Sequence, residues 1–219
     1  MMKCKAYAAR ALGALSGIFF IGTGVAFNAM AHLGNDPVGI FYDGIRNTMG
    51  LNQAGLGLAS NLVNVGFLCV LFFIGRKYLN VGTLIYILPY GTCVSAGTWL
   101  YSKIFLLDTI PVRILASAAG CLLLYFGVGI FIAVDIGMDP MTGMAMVIRD
   151  RLGWDFKRGK WLLDGTITIV GFVLGGKLGI VTIVTALSAG PAIQWIAEHL
   201  TGMGKGRKEN ALPENRTTA

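Results

Sequence analysis

Long apolar runs dominate this chain. A membrane-crossing helix needs about 20 mostly apolar residues to span roughly 30 Å of hydrocarbon. Six stretches qualify: 11–33, 54–74, 81–101, 112–134, 160–176 and 179–199. The first four are nearly free of formal charge; the fifth is short and carries Asp164. The apolar residues are not arranged in alternating ten-residue segments, so they do not suggest a transmembrane barrel. The pattern predicts an all-α membrane protein of six transmembrane helices. Two shorter stretches, "PVGIFYDGIRNTMG" (37–50) and "PMTGMAMVIRDRLG" (140–153), lie between the long runs. Each is too short to span, so each is an interfacial helix or a re-entrant element.

Those two stretches belong to an internal repeat. With an offset of 103, Gly24, Val25, Gly34, Asp36, Pro37, Ile45, Arg46 and Gly50 meet Gly127, Val128, Gly137, Asp139, Pro140, Ile148, Arg149 and Gly153. Further on the offset falls to 99, and Thr83 meets Thr182 while Gly91 meets Gly190. A self-similar unit of about a hundred residues is the mark of a duplicated architecture. The predicted organisation is a cytoplasmic N-terminus (1–10), repeat 1 (11–101), an external loop (102–111), repeat 2 (112–201) and a disordered cytoplasmic tail (202–219). Three spans per unit is an odd number, so the second unit enters from the opposite face. That arrangement is an inverted repeat, common among secondary transporters.

The Gly-x-Asp-Pro motif has a local reading. Glycine can end a helix in the left-handed conformation, so the first span of each unit is expected to stop at Gly34 or Gly137. Asp before Pro can cap the next helix, with Pro at its first position. One reading of that helix is a capped surface element. The other is a helix N-terminus aimed into a cavity, where its amides could hold an anionic group.

Composition sharpens the class. Of 219 residues, 55% are hydrophobic and only 13% charged, with 31 glycines and a mean hydropathy of +0.67. A soluble domain is closer to a quarter charged. The net charge of +7 follows the positive-inside rule rather than a nucleic-acid surface. With the N-terminus inside, 14 Lys and Arg are cytoplasmic and four (Arg46, Lys103, Arg113, Lys177) external. Lys3, Lys5 and Arg10 ahead of an apolar stretch imitate a signal peptide, but the stretch is long for one and has a counterpart in the second half. Trp99, Tyr101, Trp161 and Trp195 fall near span ends, where amphipathic rings anchor. The cysteines Cys4, Cys69, Cys93 and Cys121 form no CxxC pair, so neither a metal site nor a disulfide frame is expected, and no cofactor motif occurs.

Here the chain resembles a known family. "GTGVAFNAMAHLGNDPVGIFYDGI" and "NVGTLIYILPYG", with their echoes "GVGIFIAVDIGMDPMTGM" and "GGKLGIVTIVTALSAGP", resemble the YczE/YyaS/YitT-like bacterial integral membrane proteins over roughly residues 12–200. The second copy departs from the Gly-Thr signature, reading Val181-Thr182. The resemblance implies a polytopic bacterial inner-membrane protein of transporter type, with no assigned substrate or site residues.

Ionisable and polar groups at membrane depth are the candidate chemistry. Asp164 reads either as an interfacial carboxylate snorkelling toward Lys160 or as a coupling carboxylate. Its first-half counterpart is Asn61 or Asn64, three apart and so on one helical face. Asp36 and Asp139 join these, together with Pro89 and Pro191. The two prolines stand beside Gly91 and Gly190, and paired helix breaks in an inverted repeat point to a binding site. His32 and Asp135 are expected at the interfaces, and Asn28 to hydrogen-bond a neighbouring helix. Close helix contact is expected where Gly13 and Gly17, Gly171 and Gly175, and Gly127 and Gly129 give smooth faces.

The leading functional reading is a secondary transporter or exporter of a small molecule. The alternative is a substrate-binding membrane subunit working with a separate energising complex. An intramembrane enzyme is disfavoured: no HExxH, GxSxG or P-loop occurs. The partners expected are the lipid bilayer and a small-molecule substrate, with room for a homo-oligomer or an energising subunit and none for nucleic acid.

Overall fold

A computed structural model describes residues 2–209, with side chains described for 7–201. Among the described residues the chain forms eight α-helices and no strand. They are α1 (Met2–Ala31), α2 (Pro37–Thr48), α3 (Leu56–Ile74), α4 (Val81–Ile104), α5 (Ile110–Val134), α6 (Pro140–Leu152), α7 (Phe156–Val173) and α8 (Ile180–Glu209). Four segments are long and apolar enough to cross a membrane: Tyr7–Ala31, Gln53–Ile74, Ile110–Val134 and Ile180–Thr201. The other two long helices are more polar. α4 carries Tyr86, Tyr90 and several Thr and Gly, and α7 opens with Lys157, Arg158, Lys160 and Asp164. α8 is helical to Glu209, past the expected start of the tail at 202, and residues 210–219 lie outside the described part.

The centre of the fold is the crossing of α1 and α5. A Cβ on Gly24 would lie 2.6 Å from the Gly120 carbonyl oxygen, and one on Gly17 2.9 Å from that of Gly127. The reverse substitution at Gly127 would meet the Gly17 carbonyl at 2.6 Å. The two backbones therefore touch at two levels, and the reversed order of the pairs makes the helices antiparallel. Ala14, Ile18, Ile21, Val25 and Ala26 on the same helix are buried. α4 packs on α1, where a Cβ on Gly22 would come within 2.9 Å of the Val94 backbone nitrogen. α8 packs on α5, where Tyr125 and Ser188 share a 2.7 Å hydroxyl hydrogen bond.

The short helices fill the remaining space. α2 packs between α3 and α7, its Gly44 against the Gly171 backbone; α6 packs on the same two helices, its Gly143 against Leu71. α3 also seals against α4, whereas among the described residues α7 and α8 make no comparable contact. Ionic clusters anchor the C-terminal ends of the short helices. At the end of α2, buried Asp43 and Arg46 pair at 2.9 Å, and Arg46 donates to the Leu51 carbonyl at 2.7 Å. At the end of α6, Asp150 pairs with Arg149 at 2.6 Å and contacts Lys77 and Tyr78.

The crossing makes a prediction. Gly24→Val destabilises the purified protein by about 2 kcal/mol or more, because a packed backbone cannot retreat. Gly66→Ala faces open space and shifts stability by about 1 kcal/mol or less, toward greater stability. Unfolding titrations in mixed detergent, read by circular dichroism, compare the two.

Candidate functional site

The site begins where α1 reverses. α1 ends at Ala31, and His32 takes a left-handed φ of 58°; α5 ends at Val134, and Asp135 takes φ 49°. The helices thus stop before the expected Gly34 and Gly137. A left-handed polar residue ends each helix, a role that asparagine or aspartate fills at little cost, and the glycine completes the turn, Gly34 at φ 104°. After that turn the chain runs back alongside α1. The Asn35 side-chain amide donates to the Val25 carbonyl, ten residues earlier, at 3.0 Å. At 1.5 Å per residue, Val25 lies about 9 Å below the end of its helix. α2 therefore starts beside the body of α1, not at its tip.

The second reversal is built similarly. Thr83, one turn into α4, donates to the Met138 carbonyl at 2.8 Å. Asp139 then caps α6, accepting from the Thr142 backbone amide at 3.1 Å. Asp36 holds the equivalent position but its side chain forms no such cap; its backbone amide donates to Asn35 Oδ1 at 2.9 Å. One carboxylate oxygen of Asp36, Oδ1, is buried without a hydrogen-bond partner.

Both helix starts converge on an aromatic core. Tyr86 and Tyr90, four apart on α4, share one face and stack at 4.9 Å between ring centroids. Tyr42 of α2 tilts onto Tyr90 at 5.7 Å, and Phe131 of α5 meets Tyr86 edge-on at 5.3 Å. The Tyr42 hydroxyl donates to Asn64 Oδ1 at 3.1 Å. Asn64 is fully buried, and its amide nitrogen has no partner. Asp36 lies within electrostatic range of Tyr42, Tyr86 and Tyr90, and Asp139 of Tyr86. From α5, Tyr125 and Cys121 lie within the same electrostatic range of Asp36.

The third charged element is on α7. Lys160 donates to both oxygens of Asp164, at 2.8 and 2.9 Å, across one helical turn. This pair lies within electrostatic range of Asp36, which stands in the connection between α1 and α2. Burial pushes the Asp36 carboxyl up from 3.8 to about 6; the Lys160 ammonium opposes the shift and the Asp164 carboxylate adds to it.

The residues singled out in the sequence divide into two groups. Asn64 meets the tyrosines directly through the Tyr42 hydroxyl, Asp36 and Asp139 lie within electrostatic range of them, and Asp164 is paired with Lys160 on α7. Asn61 instead fastens α3 to α4, its Oδ1 accepting from the Gly91 amide at 2.8 Å. Gly91 stands two residues past Pro89, so the loosened turn is held by a side chain from the next helix. Helix breaks do not form: α4 and α8 run unbroken through Pro89 and Pro191. Pro191 and Gly190 are exposed and away from the aromatic core. His32 touches Lys177 at 3.0 Å, consistent with its expected peripheral place. Asn28, fully buried, accepts a hydrogen bond from the Cys121 thiol of the neighbouring α5 at 3.9 Å, and its amide nitrogen has no partner. Cys69, Cys93 and Cys121 are free thiols. Sequence reading missed Tyr42, Tyr86, Tyr90 and Tyr125. The available signal was tyrosine inside apolar runs, away from the interfacial belts it favours.

Asp36 generates a pH prediction. Its raised folded-state pKa means that the folded protein holds this proton more tightly than the unfolded chain. The cost of ionising it grows as pH rises from about 4 to about 6 and is constant above. The midpoint of thermal unfolding in detergent should fall across that window, and Asp36→Asn should flatten this component. An unchanged slope in the variant would oppose the assignment.

Comparison with known proteins gives the family. The model of DUF6198, a family of unknown function, matches residues 8–198, and the chain belongs to that family. It is 24% identical over 179 residues to the uncharacterized membrane protein YczE of Bacillus subtilis (strain 168), covering 80% of this chain and 79% of the relative. It is 23% identical over 184 residues to an uncharacterized protein of Haemophilus influenzae (strain ATCC 51907 / DSM 11121 / KW20 / Rd), covering 83% and 80%. No solved structure matches. The membrane-protein relative and the long apolar helices agree on a multi-pass helical membrane protein.

Proposed function

We propose that the protein is a secondary transporter or exporter of a small molecule, built as two inverted three-span repeats around one central site. The spans are α1, α3 and α4, then α5, α7 and α8. α2 and α6 are re-entrant elements, one from each face of a bacterial inner membrane, and both termini are cytoplasmic. One observation carries this reading. Two Asp-Pro helix starts, 103 residues apart in the chain, place both their aspartates within electrostatic range of the same tyrosine, Tyr86. Inverted repeats characteristically put their binding site at such a meeting point.

The packing supports the same reading. The α1–α5 glycine contacts exchange under the repeat: Gly17 with Gly127 corresponds to Gly120 with Gly24. The contact of Gly143 with Leu71 has a partner in the contact of Ile40 with Gly171, with the large and small residues swapped. With that correspondence Asp164 answers Asn64. The halves differ in one respect. Gly57 and Asn61 let α3 close on α4, whereas the corresponding positions on α7 are Lys157 and Trp161, which stack on one another, and α7 makes no comparable contact with α8. On this reading the side where α7 and α8 do not close is the route by which a substrate reaches Asp36.

Two measurements test this. In a variant whose four native cysteines are replaced, Met49→Cys and Leu152→Cys mark the exposed ends of the two short helices. A membrane-impermeant maleimide should label the first from outside intact cells and the second only after lysis. Labelling of both from one side would end the inverted-repeat reading. Proteoliposomes challenged with a metabolite panel, with and without a proton gradient, should show flux that Asp36→Asn abolishes. Absence of flux for every compound would end the transporter reading.

A further inference from the structure

We propose that the small cavity at the end of α1 binds a monovalent anion, a halide or one carboxylate oxygen of an organic acid. None of the core tyrosines lines this cavity, and the inference does not depend on the transport reading. The polar lining is Asn28, His32, Asn35, Asp43 and Lys177. The cavity offers about 10 Å³ to the centre of a water-sized guest, room for one such guest. Asn28 is fully buried, and its amide nitrogen has no partner. Its oxygen is turned to α5, 3.9 Å from the Cys121 thiol. A buried donor without an acceptor is costly, and an ion or a water in the neighbouring space is the ordinary remedy.

The hydrogen bonds around the cavity leave donors over. Asp43 accepts from Arg46 at 2.9 Å with Oδ1 and from the Lys177 backbone amide at 3.3 Å with Oδ2. The Asn35 oxygen accepts the Asp36 amide, and its nitrogen donates to the Val25 carbonyl. His32 Nδ1 lies 3.0 Å from Lys177 Nζ and accepts one ammonium hydrogen. The Asn28 amide hydrogens and the other hydrogens of the Lys177 ammonium remain. Charge points the same way: Arg46 matches Asp43 in a buried pair, so Lys177 leaves the lining net positive. A guest suited to this lining carries acceptors and negative charge. The internal repeat shows that the turn itself does not need these groups. At the offset of 103 Asn28 and Asp43 answer Phe131 and Met146, and at the offset of 99 Lys177 answers Tyr78. The second unit therefore places an apolar or aromatic side chain at each position where the first carries the amide, the carboxylate and the ammonium.

The experiment uses the full-length protein in detergent and sodium gluconate, with fluoride, chloride or acetate replacing gluconate at constant ionic strength. The midpoint of thermal unfolding is followed against anion concentration, and calorimetry measures binding of the same anions. A saturable rise in the midpoint with at least one anion is expected. Fluoride or chloride binding alone identifies an inorganic ion and acetate binding alone a carboxylate; either supports the proposal. Lys177→Gln and Asn28→Leu should each weaken binding about tenfold. Lys103→Gln, at an exposed lysine outside the cavity, should bind as wild type. Lys177 is exposed, so its variant decides the matter even where Asn28→Leu does not fold. Wild-type affinity in Lys177→Gln or in a folded Asn28→Leu would overturn the site. A response that does not saturate with any of the three anions would leave a cavity that holds water alone and overturn the proposal. So would a response that follows sodium rather than the anion when N-methylglucamine replaces it.

Discussion

Two antiparallel helices touching backbone to backbone set the geometry of everything else. α1 and α5 approach so closely at Gly17 and Gly127, and again at Gly24 and Gly120, that a single methyl group at any of these would meet a carbonyl or a neighbouring side chain. In lipid there is little hydrophobic force between helices, so association depends on close packing of this kind. The contact brings the end of each helix to opposite faces of the bundle. It thereby fixes where both reversals occur, and hence where α2 and α6 begin. Widening the crossing would carry Asp36 and Asp139 away from the tyrosines together.

From that crossing the polar core follows. The return of the chain alongside α1 is held by Asn35 on the Val25 carbonyl, and the matching return by Thr83 on the Met138 carbonyl. Each is a side-chain bond to backbone, which replaces water for groups held away from solvent. Between them lie the rings of Tyr42, Tyr86 and Tyr90. The arrangement places ionisable groups where neighbouring protein, rather than water, decides their charge. Asp36 responds by moving its titration toward neutrality; Lys160 and Asp164 respond by pairing.

Much of this could be read in the sequence, and for identifiable reasons. Helix number and order followed from apolar run length, and the Asp-Pro helix starts from the backbone preferences of those residues. Asp36, Asp139, Asn64 and Asp164 stood out because polar groups are rare in such runs. The termini of α1 and α5 were misplaced because glycine was given the left-handed role that His32 and Asp135 perform. Pro89 and Pro191 were given a break that neighbouring turns absorb; at Pro89 the Asn61 carboxamide takes up the strain on the backbone pattern. The tyrosines escaped notice because a large aromatic in an apolar run looks like ordinary filling until its hydroxyl is seen to have a partner. That partner, Asn64, is on another helix, and one-dimensional spacing does not reveal it.

The unequal treatment of α3 and α7 has a consequence of its own. On the proposed duplication, a perfectly even pair of halves would have two equivalent seams and no preference for which one yields. Glycine and asparagine on one side, lysine and tryptophan on the other, remove that degeneracy. On that proposal the first half would be the anchored frame and the second the compliant partner, so a twofold plan would acquire a direction. Polarity of movement would then be written in two side chains per helix rather than in any difference of fold.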